Sequence, residues 1–121
     1  MEIVANVAVG LVAAIHLYFL TLEMFLWKKP LGRKTFRLSP EFAEASAPLA
    51  ANQGLYNGFL AAGLLWGLSL GAAAGLSIKV FFLGCVIVAG IYGALTLGRK
   101  VLWVQATPGA IALLLVLLSR R

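Results

Sequence analysis

The sequence predicts an all-α integral membrane protein, a four-transmembrane-helix bundle with a short amphipathic helix in the first cytoplasmic loop. Apolar residues make up 62% of the chain, against about 45–50% in soluble domains, and the mean hydropathy is +0.98. These residues fall into four long segments separated by short basic or glycine-containing turns. The 121 residues therefore accommodate a single domain of about four spans of roughly 20 residues each.

The first predicted span covers residues 3–27, an apolar run long enough to cross a bilayer. His16 and Glu23 fall on one stripe of this helix, and we expect that stripe to face the bundle. An ionised side chain costs about 2.5–3.5 kcal/mol at the bilayer centre and less near an interface, so Glu23 needs a partner, a proton or water. A proton-handling pair of His16 and Glu23 would need a bridging water or tyrosine, because two turns separate the groups by about 10 Å.

The segment after the first span is basic and is expected outside the hydrocarbon. Pro30 is predicted to stop the first helix. Ser39, Pro40 and Glu41 then have the order of an N-cap, a proline at the first helical position and an acid in the first turn. This order predicts a short helix over residues 40–47. It either lies in the membrane interface over the mouth of the bundle or is a solvated turn.

The remaining predicted spans cover residues 48–74, 78–97 and 101–118. Within and just after the second span, Gly63, Gly67, Gly71 and Gly75 recur at every fourth position, a spacing that favours close helix packing in lipid. Glycine-rich helix faces also favour a homo-oligomer. Pro108 predicts a kink in the fourth span.

Polar side chains of the four predicted spans cluster at one depth, near the cytoplasmic boundary. This clustering favours a pocket that opens toward the cytoplasm and binds a small amphipathic or lipid-like molecule. The alternative is an interhelical hydrogen-bond network, in which each pair contributes about 0.6 kcal/mol on average. The candidate pocket residues are His16, Glu23, Asn52, Gln53, Tyr56, Asn57, Tyr92 and Gln105.

The distribution of lysine and arginine predicts the orientation in the bilayer, because cytoplasmic loops carry the excess. Seven basic residues follow spans one and three: Lys28, Lys29, Arg33, Lys34, Arg37, Arg99 and Lys100. Three lie on the other side: Lys79, Arg120 and Arg121. We therefore expect a multi-pass protein of the bacterial cytoplasmic (inner) membrane with both termini outside the cytoplasm.

Composition argues against several other classes of protein and site. The net charge of +6 is concentrated at span ends, where it meets lipid headgroups rather than nucleic acid. Cys85 is the single cysteine, so the chain has no disulfide of its own. One histidine, no second cysteine and no aspartate form a poor ligand set, so we predict no metal site and no cofactor within one chain.

Five stretches of the chain form a recognisable set: residues 16–18, 22–25, 32–34, 51–61 and 89–93. The most specific is Asn-Gln-Gly-Leu-Tyr-Asn-Gly-Phe at residues 52–59. Together they closely resemble an uncharacterised bacterial membrane-protein family, DUF1304, and the resemblance covers essentially the whole chain. It implies a four-helix membrane fold and supplies no activity or catalytic residue.

Two other functional classes are weighed against a binding protein. The architecture is faintly similar to the membrane-associated eicosanoid and glutathione metabolism family, which would make the chain an enzyme acting on a lipophilic substrate. However, residues 48–51 are Pro-Leu-Ala-Ala, without that family's arginine pattern before Asn52. An acid in the first of four short spans is similar to the small multidrug resistance exporters, which would make Glu23 part of a proton-coupled transporter. Against this, Glu23 lies near one boundary, and the basic loop would repel cationic substrates.

Overall fold

The computed structural model describes residues 1–120, which are almost entirely helical and contain no strand. The long helices α1, α3 and α5 are joined by short helices, and a π-helical turn precedes the last helix. The elements in order are α1 (Glu2–Met24), α2 (Pro30–Phe36), α3 (Pro40–Ser69), α4 (Gly71–Ala74), α5 (Leu76–Thr96), α6 (Arg99–Val101), the π-helical segment (Leu102–Ala106) and α7 (Thr107–Leu118).

Helix α1 ends three residues before the predicted end at residue 27. The carbonyl of Thr21 accepts the backbone N–H groups of both Phe25 and Leu26, at 3.0 and 3.2 Å, which widens the last turn. The Lys29 N–H then bonds the Leu26 carbonyl at 3.0 Å in a tight turn. The chain has therefore left the helix before it reaches Pro30.

Helix α2 was not predicted, and it begins at Pro30, the proline that was predicted only as a stop. Proline is suited to the first position of a helix because its fixed φ is already helical and its missing N–H would have no partner there. Helix α2 ends at Phe36 and is capped by Arg37, whose φ of 55° is left-handed and whose N–H bonds the Arg33 carbonyl. Gly32 packs so closely that a Cβ there would collide with the Leu26 carbonyl.

Helix α3 begins at Pro40 as predicted, but it does not end near residue 47. Ser39 caps its start, because the Ser39 hydroxyl accepts the Phe42 N–H at 3.1 Å. The helix then continues through Pro48 to Ser69. The expected separate amphipathic helix is therefore the first two turns of a 30-residue helix. Pro48 removes one backbone donor, but the helix is not interrupted there.

Three helices of the described chain are long and apolar enough to cross a membrane, rather than the four that were predicted. They are Glu2–Met24, Leu76–Thr96 and Arg99–Leu118. The predicted second span, residues 48–74, falls in α3, where Asn52, Gln53 and Asn57 lower the hydropathy. Its last part is also not one helix, because α3 ends at Ser69 and Gly71 has a left-handed φ of 86°.

The last helix changes its winding just before Pro108. The residues 102–106 form a π-helical segment, and the Thr107 hydroxyl donates to the Leu102 carbonyl at 3.0 Å, five residues back. A wide turn of this kind accommodates a proline, which has no N–H to continue the α-helical ladder. The irregularity predicted at Pro108 is thus a π turn on its N-terminal side.

The described residues group into two compact units, and α1 and α3 contribute to both. Unit 1 comprises residues 1–15 and 60–120, and unit 2 comprises residues 16–59. The core of unit 1 draws apolar side chains from α1, α3, α5 and α7. Its buried members are Ala5, Val9, Val12, Ala13, Ala61, Leu64, Leu83, Val86, Ala112 and Val116.

Candidate functional site

A polar pair joins α1 to α3 within unit 2. The side-chain amide of Asn57 donates to Glu23 Oε1 at 2.5 Å. Asn57 is 6% exposed and Glu23 is half-buried, one residue before the end of α1. Of the eight predicted pocket residues, these two are brought into direct contact by the structure.

Two glycines of α3 let its backbone approach α1 closely enough for this bond. A Cβ on Gly54 would lie 2.6 Å from Met24 Cγ, and one on Gly58 would lie 2.8 Å from Leu20 Cδ1. The order of these contacts is reversed along the two helices, so α1 and α3 are antiparallel here. Gly54 and Gly58 therefore determine which face of α3 meets α1, and Asn57 lies on that face.

The other polar residues of α3 face outward. Asn52, Gln53 and Tyr56 are exposed, and the Tyr56 ring packs on Phe59 with ring centroids 5.8 Å apart. Gln53 lies one turn before Asn57 and on the same edge of the helix, because residues four apart are neighbours along a helix face. The exposed polar edge of α3 therefore begins directly beside the buried Glu23–Asn57 pair.

His16 is completely buried in unit 2. Its ring meets Phe19 edge-on, with centroids 6.1 Å apart and an interplanar angle of 84°. The burial agrees with the expectation that the His16 stripe of α1 faces protein. A joint role of His16 and Glu23 in proton handling stays a prediction.

Tyr92 and Gln105, the last two predicted pocket residues, belong to unit 1. Tyr92 is 69% exposed on α5, and Gln105 is half-buried in the π-helical segment. Their convergence with the unit 2 residues into one pocket stays a prediction. Within residues 1–120, no group of three or more His, Cys, Asp or Glu side chains is arranged to hold a metal ion.

An open apolar groove of about 720 Å³ runs along the outer face of α5. Its lining is almost entirely carbon, and Tyr92 is the one predicted pocket residue in it. All the lining residues come from this one helix, so the groove is a surface face rather than an enclosed cavity. The lining residues are Val80, Phe81, Gly84, Cys85, Val88, Ala89 and Tyr92.

The loop after α1 is fastened to the first half of α3 by a tryptophan. Trp27 Nε1 donates to Ser46 Oγ at 3.0 Å, and the Trp27 and Phe36 rings lie 4.9 Å apart. The exposed ion pair of Lys28 with Glu44, at 3.5 Å, adds little stability. The sequence analysis did not foresee this attachment, although an amphipathic tryptophan just after an apolar span is a recognisable signal.

A second residue that the sequence analysis missed is Lys79. In the sequence it was used only as one of the basic residues that predict the orientation in the bilayer. In the structure this residue is 4% exposed, near the start of α5. The available signal was an isolated lysine after a glycine-rich turn, at the start of a long apolar run. Charged side chains are almost never buried to this extent unless they are paired.

Comparison with known proteins adds family information but no activity. A family model described as "Protein of unknown function (DUF1304)" matches residues 10–117. An uncharacterized protein, YpaA, of Lactococcus lactis subsp. lactis (strain IL1403) is 31% identical over 116 residues, which cover 94% of this chain and 97% of that protein. No solved structure matches the chain.

Proposed function

We propose that this chain, which belongs to the DUF1304 family of proteins of unknown function, binds a small amphipathic molecule at the membrane boundary through the polar end of α1 and α3. The observation that carries the proposal is the Glu23–Asn57 pair, which borders directly on the exposed amide of Gln53.

The membrane placement rests on the three apolar helices and on the packing of α3. Ala61 and Leu64 of α3 are completely buried in the same core as residues of α1, α5 and α7. A helix end buried among three spanning helices favours a fourth crossing by the second half of α3. Four crossings put the basic segments after α1 and α5 on one side, which the lysine and arginine excess makes cytoplasmic.

The chemistry of the pair suits a ligand that donates hydrogen bonds. An ionised carboxylate accepts about four hydrogen bonds, and the bond from Asn57 engages Oε1. Glu23 is bonded to a neutral amide rather than to a lysine or arginine, and only through Oε1, so its remaining acceptor capacity is available to a ligand. A donor that reaches this half-buried carboxylate also passes the exposed amides of Gln53 and Asn52.

The surroundings of the pair favour an amphipathic ligand over a fully polar one. Glu23 lies at the end of a helix long enough to span a membrane, and Tyr56 and Phe59 present aromatic rings on the neighbouring surface of α3. Aromatic rings at this position are typical of the boundary between headgroups and hydrocarbon. The polar end of a ligand would meet Glu23, and its apolar part would remain in the lipid.

Native mass spectrometry of protein released in mild detergent tests the proposal. We expect a defined small molecule to accompany the wild type and to be lost from Glu23→Gln and Asn57→Leu. Glu41→Gln is the matched control, because it makes the same chemical change at an exposed carboxylate of the same unit. If the wild type retains nothing and both site variants lose only stability, the pair is an interhelical network and the proposal is wrong.

A further inference from the structure

Lys79 presents a buried positive charge for which the described chain supplies no counter-charge. Its side chain is 4% exposed. Within residues 1–120, its ammonium group makes no hydrogen bond and no ion pair. Unit 1 contains a single acidic residue, Glu2, which is exposed at the start of α1. Charged side chains buried to this extent are usually paired, so the position of Lys79 calls for an acceptor.

The lysine side chain packs closely against Gly67 of α3. A Cβ on Gly67 would lie 2.7 Å from Lys79 Cγ and 3.2 Å from its backbone nitrogen. A Cβ on Gly75 would collide with the Gly67 carbonyl oxygen. The Lys79 N–H also bonds the Gly75 carbonyl at 2.9 Å. Gly67, one of the glycines that the sequence indicated as a packing ridge, is therefore what permits the Lys79 side chain to pack against α3.

The ammonium group remains accessible from outside the protein. Among the buried and half-buried side chains of residues 1–120, the one fully buried nitrogen or oxygen atom without a partner is Arg33 Nε. Lys79 Nζ also lacks a partner, but it is not fully buried, because some surface of this atom is open to solvent. The ammonium group is therefore not sealed inside the protein, although most of the side chain is covered.

The C-terminal end of α3 favours a nearby cation, but it makes no hydrogen bond to the Lys79 ammonium group. Gly67 lies near the C-terminal end of α3, where the helix dipole is negative. A dipole of this kind stabilises a nearby charge by about 0.3–1 kcal/mol at exposed sites. The rival explanation is that Lys79 only stabilises the end of α3.

We propose that Lys79 anchors a binding site for a phosphate group at the membrane boundary. Lys79 is the fourth residue of α5, a helix long enough to cross a bilayer, so the site lies at headgroup depth. Phosphate is the abundant oxyanion there, and a lysine ammonium binds it as a point charge. The group comes either from a phospholipid headgroup or from free phosphate. This site shares no residue with the Glu23–Asn57 pair, so either proposal can fail alone.

The test uses the full chain in a detergent that contains no phosphate, with two separate probes. In one arm, inorganic phosphate is titrated and binding is followed by tryptophan fluorescence; in the other, phosphatidylglycerol is added and bound lipid is counted by native mass spectrometry. We expect the affinity in at least one arm to fall about tenfold or more in Lys79→Met, equivalent to about 1.4 kcal/mol or more. Lys79→Arg keeps most of the binding, and so does Lys100→Met, which removes an exposed charge beyond the other end of α5.

The probe that binds to the wild type identifies the source of the phosphate group. Binding of the lipid alone indicates a headgroup site, and binding of inorganic phosphate indicates a free-anion site. If Lys79→Met binds both probes as well as the wild type does, the proposal is overturned. The same conclusion follows if that variant loses only thermal stability, because Lys79 would then act on the end of α3.

A measurement on the unaltered protein covers the case in which Lys79→Met does not fold. Lysines of the wild type are acylated with a water-soluble amine reagent, with and without each probe, and the sites are read by peptide mass spectrometry. We expect the probe that binds at Lys79 to slow acylation of this residue several-fold. The rate of acylation of Lys100 should not change. Equal rates at Lys79 with and without both probes would show that the group binds neither of them.

Discussion

Asn57 of α3 donates its side-chain amide to Glu23 of α1, across 34 positions of sequence. The bond lies between Leu20 and Met24 of α1 and Gly58 and Gly54 of α3, which face each other in antiparallel order. It therefore joins the two helices of unit 2 at the rotation and register that the glycine contacts allow. The same rotation turns the neighbouring amides of α3 outward.

Removing the donor of this pair should destabilise the protein. Asn57→Leu leaves the half-buried Glu23 carboxylate without its amide partner, and we expect a loss of about 1–3 kcal/mol in the free energy of unfolding. Asn52→Leu is the control, because Asn52 is exposed on the same helix, and it should change stability by less than about 0.5 kcal/mol. Reversible unfolding in mixed detergent measures both. Equal losses in the two variants would show that the bond does not hold the helices together.

Two glycines of α5 should respond oppositely to alanine. A Cβ on Gly90 would lie 2.5 Å from the backbone nitrogen of Ala106, which cannot move aside, whereas a Cβ on Gly84 would meet nothing within 4 Å. We expect Gly90→Ala to cost about 1–3 kcal/mol by overpacking. Gly84→Ala should be neutral or stabilising by up to about 1 kcal/mol through helix propensity. The prediction fails if thermal unfolding ranks the two variants in the reverse order.

The attachment of the loop after α1 should appear as coupling between Trp27 and Ser46. Trp27→Phe removes the indole donor while keeping an aromatic ring next to Phe36, and Ser46→Ala removes the acceptor. A double-mutant cycle on unfolding free energy should give a coupling of about 0.5–1.5 kcal/mol. Strict additivity of the two substitutions would mean that the indole and the hydroxyl do not interact in the folded protein.

The fourth crossing can be tested with single cysteines in a Cys85→Ala background. We expect a membrane-impermeant maleimide to label Glu2→Cys and Arg120→Cys on intact cells, because four crossings put the start and the end of the described chain outside the cytoplasm. Lys34→Cys, in the basic segment after α1, should react with the maleimide only after the membrane is permeabilised. If α3 does not cross, Glu2→Cys and Arg120→Cys will react from opposite sides.

Local patterns of the sequence predicted several elements closely. The third span, predicted over residues 78–97, is helix Leu76–Thr96, and Ser39 caps the helix that begins at Pro40. These features depend on apolar runs and on side chains that bond their own backbone, which a sequence displays directly. The continuation of α3 through Pro48 is different. Its physical basis is not local, because a proline within a helix lacks a backbone donor and tertiary packing must compensate.

The candidate site was only partly predictable for a related reason. The apolar setting of Glu23 marked it as a residue that needs a partner, and Asn57 was among the candidates. Which amide would meet it depends on the rotation of α3, and the contacts of Gly54 and Gly58 with α1 decide that rotation. The burial of Lys79 likewise depends on Gly67, twelve positions away and on another helix. A pattern within one helix does not carry that information.

The central claim, that Glu23 is part of a ligand site, is tested most directly by the reaction of its carboxyl group with a hydrophobic carbodiimide. Protein extracted in mild detergent is compared with protein stripped of small molecules by a harsh wash, and the labelled residues are identified by mass spectrometry. The account predicts that Glu23 is labelled faster in the stripped protein, and that adding back the small molecules removed by the wash slows its labelling again. Labelling of the exposed Glu41 should be the same in all samples. Equal labelling of Glu23 in stripped and unstripped protein would contradict it.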